Sequence, residues 1–300
     1  MPNAKLLNYL HLHGIIFIWG FTAVLGALIS IDAIPLVWFR MLLASGFILL
    51  FVLLKKEKLR FSGKTLSRFF LAGFIIALHW LCFFGAIKES NVSVTLAIMS
   101  TGAFFASLLE PLFYRRKIIG YEVFFGLIVI GGLYLIFNVE TDYIWGIGLA
   151  LASSFLGAVF TIINGALVVK HKASVISLYE LFFGGLCITA YLAFQGKITS
   201  ELFQLSTNDW LLLLLLASVC TAYAFLASVH VMKWISPYTV MLTVNLEPVY
   251  GIILALLILG DSEHMNTEFY YGAVIIIVTV IANGIIKNRL QRKKRGLPNT

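Results

Sequence analysis

The feature that most constrains this chain is a succession of apolar runs, each close to the ~20 residues that a helix needs to cross a bilayer. Five lie in the first half: Leu10 to Ile31, Pro35 to Leu54, Leu66 to Ile87, Val92 to Tyr114 and Gly120 to Phe137. Five more lie in the second: Ile144 to Val169, Val175 to Phe194, Trp210 to Trp234, Pro237 to Leu259 and Tyr270 to Ile286. The runs are continuous rather than alternating, so the backbone must satisfy its own hydrogen bonds as helices, which excludes a β-barrel. Of the 300 residues, 60 % are hydrophobic and 12 % charged, and ten spans leave no room for a soluble catalytic domain. The expected fold is an all-α integral membrane protein with ten transmembrane helices. The first run is too long for a signal-peptide core and has no cleavage motif, so it is read as a retained helix.

The net charge of +8 raises the question of a nucleic-acid partner, which the placement of the basic residues answers. With the N-terminus on the inside, 19 of the 22 Lys and Arg fall in inside segments; Lys88 and Lys197 fall outside, and Arg40 lies within a span. Acidic residues lie mostly opposite: Asp32, Glu89, Glu140, Asp142, Glu201, Asp209, Asp261, Glu263 and Glu268 are outside. The asymmetry predicts a multi-pass protein of the inner (plasma) membrane with both termini cytoplasmic. The basic tail from Lys287 to Arg295 follows a span directly and points to the lipid surface rather than nucleic acid. Cys82, Cys187 and Cys220 stand in apolar runs without metal-ligand spacing and read as core residues, so no metal or other cofactor is expected.

The two halves repeat. At an offset of 140, Pro35-Leu-Val-Trp-Phe-Arg40 falls on Val175-Ile-Ser-Leu-Tyr-Glu180, with aromatic and small residues coinciding beyond. At an offset of 146, Ser90-Asn-Val-Ser-Val-Thr-Leu96 falls on Ser236-Pro-Tyr-Thr-Val-Met-Leu242, and Gly126 on Gly272. An odd number of spans per half makes the second copy enter the membrane from the opposite side. The result is a pair of inverted five-helix repeats, 1–138 and 139–287, followed by a basic tail, 288–300.

Trp19-Gly20 in the first span, Arg40 in a span opened by Pro35, Glu247-Pro248 in the ninth and Gly260-Asp261 after it together resemble the EamA-domain branch of the drug/metabolite transporter superfamily. The resemblance covers nearly the whole chain. It implies export or exchange of small polar metabolites, amino acids among them, through a central cavity. Two departures show that the halves have diverged: Thr101-Gly102 stands opposite Glu247-Pro248, and Val159-Phe160 opposite Trp19-Gly20.

Polar residues inside spans are the candidate substrate-binding groups, because a charge there costs about 2.5 kcal/mol or more and must face protein or water. Glu247 is the foremost, a functional carboxyl or a structural partner at a kink made by Pro248, with Asn245 beside the opened backbone. Arg40 either snorkels outward or points into the cavity to hold a carboxylate; Glu180, its repeat counterpart, is expected to meet an amine or a lysine such as Lys172. Glu110 is expected to pair with Arg115. His79 and Trp80 can contact substrate or pack helices, and Tyr179, Tyr223, Trp19 and Asn164 can line the cavity or serve packing. His11 and His13 read as interfacial, and the pairs Gly131-Gly132 and Gly184-Gly185 as close helix contacts.

These features predict a secondary transporter working by alternating access, with a small-molecule substrate, a proton or counter-substrate as coupling partner, and the bilayer as surroundings. The competing classes are an intramembrane enzyme, for which no H-E-x-x-H or paired-aspartate motif exists, and a lipid-handling membrane protein. No G-x-x-x-x-G-K-[ST] loop supplies an ATP site.

Overall fold

A computed structural model describes residues 2–113, 120–139, 143–235, 240, 243–244 and 246–294. The apolar runs are helices: α1 (Pro2–Leu28), α2 (Ala33–Leu54), α3 (Gly63–Glu89), α4 (Val92–Met99), α5 (Gly102–Phe113), α6 (Gly120–Val139), α7 (Ile144–Leu167), α8 (Ala173–Phe194), α9 (Thr207–Ala217), α10 (Ala224–Val231), α11 (Glu247–Leu259) and α12 (Thr267–Lys294). Among the described residues, seven helical stretches are long and apolar enough to cross a bilayer, and two shorter apolar ones, Phe124–Leu135 and Thr267–Asn283, accompany them. Large apolar side chains also face outward around the bundle: Phe194 is 90 %, Leu257 77 % and Trp145 75 % exposed. Water would penalise that surface and lipid does not, so this is a multi-pass membrane protein.

Three interruptions depart from continuous spans. The fourth run breaks at Ser100–Thr101, where both hydroxyls turn back to carbonyls three residues earlier, Ala97 and Ile98. The eighth contains a π-turn, Ser218–Tyr223, between α9 and α10, fixed by the Thr221 hydroxyl donating to the Leu216 carbonyl at 2.7 Å. In the ninth, Pro248 does not kink a continuous helix. Glu247 and Pro248 are the first residues of α11, where a missing N–H removes no helical bond. The last helix runs on to Lys294, so the basic tail begins as helix.

α3 packs on α7 and α8, α2 on α8, α1 on α11, α7 on α4 and α5, and α6 on α12. Two approaches need glycine. An added Cβ at Gly20 would lie 2.9 Å from the Gly251 nitrogen, bringing α1 onto α11; one at Gly184 would lie 2.6 Å from the Gly73 carbonyl oxygen, bringing α8 onto α3. Of the other sequence-read pair, Gly132 meets α12 but Gly131 faces open space.

Carboxylates tie the connections at both ends. At the acid-rich end, Asp209 accepts from the Ser30 N–H at 2.8 Å and the Ser30 hydroxyl at 2.7 Å, holding the α1–α2 turn. Glu263 accepts from the first two N–H groups of α4, Val92 at 3.1 Å and Ser93 at 2.8 Å, where a negative charge complements the helix dipole. At the base-rich end, Glu57 from the α2–α3 connection binds Lys172 at 3.2 Å and the Ser174 hydroxyl, holding the start of α8.

Filling the α3–α8 approach tests this packing. Gly184→Leu should lower the melting temperature in detergent sharply, consistent with the ~1–3 kcal/mol or more of overpacking. Gly131→Leu, with nothing within 4 Å, should leave it nearly unchanged.

Candidate functional site

A cavity at the centre of the bundle is lined from α1 by Trp19 and Thr22, from α2 by Arg40, from α3 by His79, Trp80 and Phe83, and from α11 by Glu247; α7, α10, Met99 of α4 and the chain between α10 and α11 also contribute. About 100 Å³ is open to the centres of water-sized molecules, whereas a single water needs ~10–15 Å³ by the same measure. The space suits several waters or a small metabolite.

Arg40 does not snorkel. It is 2 % exposed, its Nε donates to the Thr221 hydroxyl at 2.7 Å, and its guanidinium lies 3.8 Å from the centroid of Trp80. The π-turn thus does local work: it presents Thr221 as an acceptor while that hydroxyl donates to Leu216. Arg40 Nη1 has no hydrogen-bond partner among the described residues. A buried guanidinium with a free donor is an anion site in chemistry, and a carboxylate fits its fork.

His79 is fixed by Ser153. Nδ1 lies 2.8 Å from the Ser153 carbonyl oxygen, which only accepts, so Nδ1 carries the hydrogen in the neutral ring and Nε2 keeps its lone pair. The Ser153 hydroxyl donates to the His79 carbonyl at 2.9 Å and locks the pair of helices at this level. Glu247, at the first position of α11, lines the cavity and interacts electrostatically with Arg40. A guanidinium and a carboxyl group therefore face one space, with Trp19, Trp80, Phe83, Phe160 and Phe225 as walls. Phe160 and Phe225 stack with centroids 5.5 Å apart, and Trp80 meets Phe225 edge-on at 5.6 Å.

Five of the sequence candidates come together here: Trp19, Arg40, His79, Trp80 and Glu247. Four do not line this cavity: Tyr179, Tyr223, Glu180 and Asn164. Tyr179 stacks on Phe69 at 5.5 Å and donates to the Leu59 carbonyl near the base-rich end. Tyr223 bonds His11 at 2.9 Å beside a separate groove, so His11 has a partner beyond the interface. Glu180 is wholly buried and does not meet Lys172, which is taken by Glu57; its partner is Asn164 on α7, at 3.0 Å. Asn245, and Arg115 as the partner expected for Glu110, lie outside the described residues. Of the cysteines, Cys220 is buried and Cys82 and Cys187 are partly so; all three are free thiols.

The hydroxyls that organise the site, Thr221 and Ser153, were not among the sequence candidates. The adjacent pair Ser153-Ser154 inside an apolar run is the signal for the second; Ser154 lines the cavity and bonds Thr101 at the α4–α5 break, at 2.9 Å. Thr221 carries no comparable signal.

The sequence model of the EamA-like transporter family matches residues 8–138 and again residues 144–284. The chain belongs to this family. As an EamA-like protein it resembles two proteins described as uncharacterized transporters. One, from Clostridium kluyveri, is 25 % identical over 77 % of this chain and 76 % of its own. The other, from Archaeoglobus fulgidus, is 25 % identical over 93 % and 96 %. A solved crystal structure with 14 % identity shares the fold at a TM-score of 0.66, over 94 % of this chain and 98 % of that one. The family identity marks an EamA-like permease rather than an enzyme.

The Arg40 seat makes a quantitative expectation. Arg40→Lys keeps the charge but loses the planar face over Trp80 and the bond from Nε, so it should destabilise by about 1–2 kcal/mol, read as a lower melting temperature and altered tryptophan emission. Thr221→Ser keeps the hydroxyl and should stay near wild type.

Proposed function

We propose that this EamA-like protein is a secondary transporter that exports or exchanges small polar metabolites carrying both a carboxylate and an amine, amino acids among them, by alternating access. The observation that carries the reading is the pairing of Arg40 and Glu247 across one aromatic-walled cavity. The carboxylate docks on the free Nη1 of Arg40 and the ammonium group on Glu247, while an apolar side group lies against Trp80, Phe160 and Phe225.

Several features support movement of two inverted five-helix repeats, 1–138 and 139–287, about this site. Breaks fall at Ser100–Thr101 and just before Glu247, which the 146-residue offset brings into register; discontinuous helices in corresponding places are where such repeats bind substrate. Helix pairings also come in twos: α1 against α11 matches α7 against α4 and α5. The α1–α2 turn is held by Asp209 at one end and the α7–α8 turn by Glu57 at the other, so each end has its own carboxylate fastening.

Metabolite profiling of medium and cells with and without expression should show depletion or release of one class, and proteoliposomes should reproduce that flux. Glu247→Gln and Arg40→Ala should each reduce it at least tenfold with expression intact; product formation without vectorial movement would favour an enzyme instead. For the orientation, single cysteines at Lys58 and Lys294 in a cysteine-free background should react only from the cytoplasm, and one at Glu201 only from outside.

A further inference from the structure

Outside the cavity, the buried contact of α8 with α3 and α7 holds a second polar cluster. Glu180, Asn164 and Ser177 are each 0 % exposed. Asn164 Nδ2 donates to Glu180 Oε1 at 3.0 Å and, at a longer 3.5 Å, to the Phe160 carbonyl of its own helix. Glu180 Oε2, Asn164 Oδ1 and Ser177 Oγ have no partner among the described residues. The chemistry of these three atoms is lopsided. A carboxylate oxygen and an amide oxygen only accept, and two acceptors cannot satisfy each other. The Ser177 hydroxyl is the one possible donor among the three atoms and is bonded to neither acceptor, so the cluster still lacks a donor that a proton on Glu180 would supply.

Among the described residues no cation stands in for it. The elements packed against this part of α8 are α2, α3, α7 and α10. α7 carries no charged residue, and Arg40 on α2 lies in the central cavity. On α3, His79 lines the same cavity, while Lys64 and Arg68 sit toward one end and Lys88 and Glu89 at the other. His230 on α10 lines the separate groove near the base-rich end. Neighbouring Tyr179 spends its hydroxyl on the Leu59 carbonyl. An ionised carboxylate in low dielectric with one neutral hydrogen bond is penalised by several kcal/mol. A proton on Oε2 removes that charge and creates the missing donor.

We infer that Glu180, with Asn164 and Ser177, is a proton-binding site at the α3–α8 contact, separate from the substrate cavity, and that it carries its proton in the conformation seen here. Resting on the reading of the protein as a transporter, the site supplies a coupling step. Glu180 lies at the glycine-lined approach, where an added Cβ at Gly73 would fall 2.5 Å from the Glu180 carbonyl oxygen. α3 and α8 belong to different halves, so water reaches Glu180 only when the halves part. The proton is then exchanged with bulk water on whichever side is open and trapped again on closure.

Difference infrared spectroscopy of the purified protein in lipid nanodiscs reads the site without any substrate. Wild type at neutral pH should show the carbonyl stretch of a buried protonated carboxylic acid, which Glu180→Gln removes and Glu247→Gln leaves. Asn164→Leu, which strips the donor from Oε1, should move the same band to higher frequency and serves if Glu180→Gln does not fold. Identical spectra for wild type and Glu180→Gln, or no shift in Asn164→Leu, would overturn the proposal. So would a melting temperature raised by sodium chloride over choline chloride in wild type but not in Glu180→Gln, because the cluster would then hold a metal cation. The spectra are independent of flux, so absence of vectorial flux by the wild type with the band intact would reject the transporter reading and leave the proton site standing.

Discussion

Arg40 is the charge around which the rest of the bundle is arranged. Moving a guanidinium from water into a membrane interior costs several kcal/mol even after relaxation, and that cost has to be met by neighbours built for it. They come from three helices: the Trp80 face on α3, the Thr221 hydroxyl that the π-turn exposes, and the Glu247 carboxyl at the start of α11. The last two depend on a local irregularity or a glycine contact. The π-turn tilts Thr221 toward α2, and the Gly20–Gly251 approach draws α11 against α1, which brings Glu247 and Trp19 to the same cavity. What looks like helix imperfection is therefore the means by which a buried cation is tolerated while one of its donors stays free.

The apolar walls and the polar pair divide the labour of recognition. Stacked and edge-on rings from α3, α7 and α10 form a surface that tolerates variation in shape, whereas the guanidinium and carboxyl require a fixed separation of opposite charges. On the proposed reading, such a site would be selective for a charge pattern and permissive about the remainder of the molecule.

Much of this was legible in the sequence because the membrane leaves so few choices. Runs of apolar residues had to be helices, and ionisable groups within them had to face the interior, which located Arg40, Glu247, His79 and Trp80 without a structure. The helix ends were less legible, since α1 and α12 continue through polar residues that carry no hydrophobic signal. Partners were least legible. Glu180 was matched to Lys172 by depth alone, yet Lys172 reaches across to Glu57 on another connection, and the amide of Asn164 takes its place. Hydroxyls were harder to read for a related reason: serine and threonine in membrane helices commonly bond their own backbone, so nothing in the sequence separates Thr221 from ordinary cases, and Ser153 is marked only by its pairing with Ser154.

The carboxylate fastenings at the two ends differ in one respect that matters for ionic strength. Asp209 is 3 % exposed and is bonded by neutral donors of Ser30 and Ser206, contacts that dissolved ions screen little. Glu57 depends in part on Lys172, whose side chain is 65 % exposed, and such pairs contribute only ~0.2–1 kcal/mol and weaken as salt rises. Salt therefore loosens the fastening at the base-rich end and leaves the other in place, and on the proposed alternating-access cycle the electrolyte on the base-rich side would itself act on which way the bundle opens.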